Sequence, residues 1–230
     1  MANRPPISAG EWYHCFNRGV DKRLVFQNED DCERFLVLLY ISNDEDSNSC
    51  LANLELHHVT FEKVLARGVV RGTPLVDIGA YAFMPNHVHM IIRPLSDSGL
   101  SLFMQKVFTG YAMYFNGKYE RTGPLFSGRY KSKHLDSDEY LKHAIQYVLL
   151  NPIELSEPHW KKGRGDLGRI EKELLSYRYA SVKDFFGLQR SEGRIVHDIR
   201  TEYFDKKPSV GVMLRDAQAY YRENARFLER

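Results

Sequence analysis

The sequence predicts an α+β fold. Three observations carry this: an aromatic-rich strand near the start, a hairpin turning at Pro85-Asn86, and several segments whose apolar residues recur at helical spacing. The 230 residues suffice for one generous domain, or for a core domain with an appended piece, and can bury a sizeable core. Hydrophobic content of 43% and charged content of 27% are ordinary for a soluble globular protein and argue against wholesale disorder. Cys15, Cys32 and Cys50 lie too far apart for a metal knuckle or a disulfide framework, so they read as packing residues in a reducing compartment. The first six residues lack a basic-then-apolar leader, and no apolar run reaches membrane-spanning length. A cytoplasmic protein with no membrane partner is therefore expected.

Trp12 to Arg18 reads as the first strand, closed by Gly19. Asp30 or Asp31 can cap a helix whose apolar face is Phe35, Leu36, Leu38, Leu39 and Ile41. Ser42 to Ser49 is polar and reads as a mobile loop, and the neighbouring His57 and His58 face opposite ways on an extended chain, which argues against a shared metal. Leu75 to Phe83 forms the strand before the turn, and His87 to Arg93 returns antiparallel to it. Side chains alternate along that return: His87, His89, Ile91 and Arg93 take one face, Val88, Met90 and Ile92 the other. The two imidazoles thus point the same way and can offer neutral nitrogens to a metal. Taken alone, the pair reads more simply as two half-buried strand histidines.

Leu100 to Lys118 is a helix whose stripe is Leu100, Phe103, Met104, Val107, Tyr111, Tyr114 and Phe115, so both tyrosines belong to the core. Arg121-Thr122-Gly123-Pro124 and Gly128 mark a loop that carries Phe126, Arg129, Tyr130, Lys131 and Lys133. Basic and aromatic side chains interleaved in this way suit single-stranded nucleic acid, with Phe126 or Tyr130 stacking on a base. Net charge is only +2, but residues 93 to 133 hold seven basic side chains, Lys106 and Arg121 among them, against two acidic ones, while residues 29 to 62 are strongly acidic. That asymmetry fits one phosphate-facing side, and equally a solvated charged face.

Asp136 and Glu139 resemble a capping box and Pro152 ends the periodicity, so Ser137 to Leu150 is predicted helical. Leu141, Ala144, Ile145, Val148 and Leu149 make its core stripe, and Tyr140, His143, Tyr147 and Asn151 cluster on a flanking face. Val210 to Arg230 reads as an amphipathic helix using Met213, Leu214, Ala217, Tyr220, Tyr221 and Phe227.

Four stretches together resemble the REP-associated tyrosine transposases, relatives of the insertion-sequence single-tyrosine transposases within the HUH endonucleases. They are Phe16-Asn17-Arg18-Gly19, Met84-Pro85-Asn86-His87-Val88-His89, Arg121 to Phe126 with Gly128 to Ser132, and Tyr147-Val148-Leu149-Leu150-Asn151-Pro152. Their order and spacing span roughly residues 11 to 185. The resemblance implies a ferredoxin/RRM-like central antiparallel β-sheet with packed helices, the HUH transposase fold, over residues 1–188, followed by a helical extension over 189–230. It further implies that His87 and His89 bind Mg²⁺ or Mn²⁺ and that Tyr147 cuts single-stranded or hairpin DNA through a 5′-phosphotyrosine. Asn151 becomes the third ligand, where related insertion-element enzymes tend to carry glutamine, with His143 as an alternative ligand or phosphate contact. A monomer is expected, and a hairpin-binding protein that has lost cleavage is the rival reading.

Overall fold

The computed structural model describes residues 7–46, 59–163, 165–204 and 208–223. Strands β1 (Tyr13–Arg18), β2 (Val76–Met84), β3 (His87–Pro94) and β4 (Lys131–His134) form one antiparallel sheet in the order β2-β3-β1-β4. Helix α1 (Glu29–Ile41) and the short α2 (Phe61–Ala66) separate β1 from β2, and α3 (Gly99–Lys118) separates β3 from β4. A β-α-β-β-α-β chain with this strand order is ferredoxin-like, as expected of the α+β class.

Strand alternation then divides the interior in two. Tyr13, Cys15, Tyr81, Phe83, Val88, Met90 and Ile92 pack against α1 and α3. On the opposite face Trp12, Ala80, Ala82 and Ile91 meet α4 (Asp138–Leu150), α5 (Leu167–Ser176), α6 (Val182–Phe185), α7 (Ile199–Tyr203) and α8 (Val210–Glu223). The result is three layers, helices on both sides of one sheet. A bulge after Ile78 reverses the parity of β2, so Ile78 and Ala80 point to opposite layers. Gly79 sits in that bulge because a Cβ there would lie 2.7 Å from the Ile199 side chain.

Several local expectations change. Asn28, rather than Asp30 or Asp31, caps α1 by accepting from the Asp31 amide. Asp31 is instead fully buried, accepting from Tyr119, Tyr114 and Lys118. Ser137 caps α4 in place of Asp136, through the Tyr140 amide. The stretch read as a polar loop begins with Ser42 and Asn43 buried, while residues 47–49 lie outside the described residues, as do Cys50, His57, His58 and Phe227. Cys15 and Cys32 are buried, as packing residues should be. Lys131 to His134, read as loop, pairs with β1 as an edge strand; its alternating lysines hide a strand from any hydrophobic pattern. Residues Val210, Met213, Leu214, Ala217 and Tyr221 of α8 belong to the same apolar cluster as α4, so this helix covers the second layer.

Asn43 ties α1 to β2: its Nδ2 donates to the Val76 carbonyl and its Oδ1 accepts from the amides of Leu75 and Val76. Replacing it with alanine leaves buried backbone groups unpaired, at about 1–3 kcal/mol for each group. Urea denaturation of Asn43→Ala should therefore show a loss of at least about 2 kcal/mol, with an unchanged dependence on urea concentration.

Candidate active site

The two central strands build the site. In the β1–β3 register Phe16 faces His89 and Arg18 faces His87, so His14, Phe16 and Arg18 project on the same side as the histidine pair. The rings of His87 and His89 meet edge to face with centroids 4.9 Å apart. His14 stacks on His89 at 5.0 Å, and its Nε2 lies 2.9 Å from His89 Nδ1. His87 Nδ1 lies 2.6 Å from Asn86 Oδ1. A carboxamide oxygen only accepts, so His87 carries its proton on Nδ1 and keeps the Nε2 lone pair. His14 can do the same for His89, since an accepting Nε2 on His14 fixes a proton on His89 Nδ1.

Burial keeps these rings neutral. Desolvation, then the charge of Lys133, brings the His14 pKa down from 6.5 to about 4. Desolvation, then the charge of Arg18, lowers His87 to about 4. His89 falls well below its ordinary value through burial and the neighbouring histidines.

Helix α4 supplies the phenol. Its apolar stripe of Leu141, Ala144, Ile145, Val148 and Leu149 is buried, which turns Tyr147 toward the sheet with its ring centroid 5.3 Å from His89 and 5.8 Å from His14. Burial pushes the Tyr147 pKa up and Glu154 adds to this, whereas a hydrogen bond from Asn151 and the charge of Arg18 favour the phenolate. Asn151, one turn after Tyr147, is 2% exposed and its Oδ1 has no hydrogen-bond partner. Lys161 pairs with Glu154 and lies over the Tyr147 and Tyr221 rings at 5.3 and 4.9 Å.

The donor atoms fit a divalent cation: two neutral imidazoles whose Nδ1 atoms are engaged elsewhere, and a buried amide oxygen lacking a partner. Among the described residues no three His, Cys, Asp or Glu side chains are grouped to hold a metal.

The other residues singled out in the sequence are dispersed. His143 is at the rim of the Tyr147 cleft, stacked on Tyr220 at 4.4 Å and 3.9 Å from Glu139. Lys131 and Lys133 oppose Phe16 and His14 in the β1–β4 register, on the site face, with Lys133 over Tyr140 at 4.8 Å. Lys106 lies instead in the α1–α3 layer, donating to the carbonyls of Asp44 and Glu45. Arg121 is held by Asn116 Oδ1 at 2.8 Å. Phe126 is only 7% exposed and meets Phe108 edge to face, so its ring anchors the loop to the core and is not open to a base. Arg129 is exposed and Tyr130 half-buried, both in a groove against α3 on the sheet face away from Tyr147. Sequence reasoning passed over His14, Arg18, Glu154 and Lys161. The alternation that pairs His87 with His89 also places His14, Phe16 and Arg18 together, so for β1 the signal was present.

Neutral histidines give a signed pH dependence. Each folded pKa lies below 6.5, so the unfolded chain binds the proton more readily; the stability these rings contribute is complete above about pH 6.5 and is lost as pH falls toward 4. Urea midpoints measured from pH 7 to pH 4.5 should decline, and His14→Phe should decline less steeply over the same window.

No family model matches the sequence, and comparison with curated proteins finds no match. Among solved structures the chain is similar to a REP-associated tyrosine transposase bound to a REP hairpin, with 12% identity, a TM-score of 0.46, and coverage of 84% of this chain and 89% of that chain.

Proposed function

We propose that this protein is a metal-dependent, single-stranded DNA endonuclease and strand transferase that uses Tyr147 as its nucleophile. The observation that carries the reading is a pair of neutral, same-face histidines with the Tyr147 ring centroid 5.3 Å from that of His89; an unpartnered buried amide oxygen lies one helical turn beyond Tyr147 in the chain. His87, His89 and Asn151 would hold Mg²⁺ or Mn²⁺. When bound, the cation polarises a phosphodiester and offsets the charge that develops on its oxygens.

The chain's own groups account for the remaining requirements. A phenol with its pKa raised by burial is a poor nucleophile at neutral pH, so the groups that favour its anion, Asn151 and Arg18, are the ones that prepare attack. Attack by Tyr147 Oη on phosphorus forms a phosphotyrosine and releases a 3′ hydroxyl, and the returning hydroxyl reverses the step, so the energy of the diester is retained for joining. Arg18, Lys131 and Lys133 lie on the site face, where they can draw in phosphates. His143 takes a supporting place at the rim of the cleft. Hairpin DNA is the proposed substrate form, since it presents single strand beside a duplex, and a monomer is the proposed acting unit.

Incubation with labelled hairpin DNA and Mn²⁺ should give a covalent protein–DNA adduct that Tyr147→Phe abolishes and His87→Ala reduces severely. Binding without an adduct in the wild-type protein would instead support a hairpin-binding protein without cleavage, and an adduct that persists in Tyr147→Phe would remove Tyr147 as the nucleophile. Lys131→Ala and Lys133→Ala should each flatten the salt dependence of DNA affinity by roughly one counterion, measured by titration across a salt series.

A further inference from the structure

Beside Tyr147 opens a cleft of about 540 Å³, within the range of small-ligand sites. Its lining differs from a pocket for an aliphatic ligand. One wall comes from α8, where Tyr220 stacks on His143 of α4 with centroids 4.4 Å apart at 26°, while 37% of Tyr220 stays exposed. The Phe16 ring of β1 also lines the cleft, with Lys131 Nζ 6.0 Å from its centroid. Ala144 and Ala217 line it as well, and their small side chains take up little of its space. Lys133 stands at the Tyr140 side, and of the nearby carboxylates Glu154 is paired with Lys161, leaving Glu139 exposed at the rim.

Flat rings flanked by cations match the chemistry of an unpaired nucleotide: an aromatic base to stack and a phosphate to neutralise. We infer that this cleft is a subsite for one unpaired nucleobase adjoining the phosphate presented to Tyr147. The base extends the His143–Tyr220 stack, and its phosphates meet Lys131 and Lys133. This assignment rests on the reading of the neighbouring histidines and Tyr147 as a strand-cutting centre. It gives α8 a role in substrate binding beyond covering the second layer. Stacking does not read hydrogen-bond edges, so the subsite tolerates any base, and sequence preference must arise elsewhere.

The test uses the full chain and single strands carrying 5-iodouracil, irradiated and mapped by mass spectrometry, together with affinities for Tyr220→Ala, Tyr220→Leu and Tyr220→Phe. Crosslinking to Tyr220 or His143 is expected, with affinity reduced about 5- to 150-fold in Tyr220→Ala and Tyr220→Leu and kept in Tyr220→Phe. Leucine preserves bulk and apolar cover, so a loss shared by alanine and leucine but not phenylalanine reports the ring rather than a folding defect. Covalent adduct formation is assayed on the wild-type protein in parallel. An adduct with unchanged affinity in all three variants, and crosslinks only elsewhere, overturns the subsite and leaves the strand-cutting reading standing. Ring-dependent binding without an adduct overturns strand cutting and leaves the subsite. Failure of the folded wild-type protein to bind any single strand overturns both.

Discussion

The site depends on the register between β1 and β3, the two middle strands of the sheet. Phe16 opposite His89 and Arg18 opposite His87 place three imidazoles and a guanidinium on one face while Cys15, Val88 and Met90 fill the other layer. A slip of one residue would send His14 into the apolar core and expose a cysteine in its place. The hydrophobic layer under α1 and α3 therefore holds the polar face in alignment, because only one register buries it. Burial then determines the chemistry: rings removed from water stay neutral, and neutral imidazoles are the form that can donate a lone pair.

On the other side of that face stands a helix with two obligations. The α4 stripe packs on Ala80, Ala82 and Ile91 of the sheet, and these small or slender side chains let the helix approach closely enough for Tyr147 to touch His89. Tyr147 and Asn151 sit one turn apart on the flank of that stripe, so packing and presentation come from the same periodicity. The Trp160 to Lys162 turn behind it is anchored by the fully buried Trp160, with Gln218 of α8 donating to its carbonyl, and this brings Lys161 over the phenol. Helix α4 follows the β-α-β-β-α-β unit, packs on the sheet face opposite α1 and α3, and forms one wall of an open cleft.

The hairpin about Pro85-Asn86, the two faces of β3, the stripes of α3 and α4 and the buried Tyr111 were legible because each is a local repeat matched to its element's period. Other features were not. An edge strand with lysine at alternate positions carries no apolar signal, so β4 looked like loop. The basic count between residues 93 and 133 treated as one group side chains that the fold separates: Lys106 serves an acidic loop on one side of the sheet, and Lys131 and Lys133 face the other. Phe126 was read from its glycine- and proline-rich neighbours, whereas Phe108, eighteen positions earlier on α3, determines its burial. His14 lay in plain view on β1, but its meaning required knowing that β1 lies beside β3 and not at an edge.

Both borders of the sheet are blocked, and by different means. Along β2 the segment around Ala180 bridges Ala82, with Phe83 donating to the Tyr179 carbonyl and Ser181 to that of Tyr81, so those backbone groups are already taken. Along β4 the guard is electrostatic, two lysines on a four-residue strand. Bringing a second strand against that border would crowd like charges, which discourages fibre-like growth of the sheet. The lysines proposed to meet phosphate thus also oppose edge-to-edge pairing of the sheet. Removing their charge would alter colloidal behaviour along with affinity, and a polyanion resting there would lift the same repulsion.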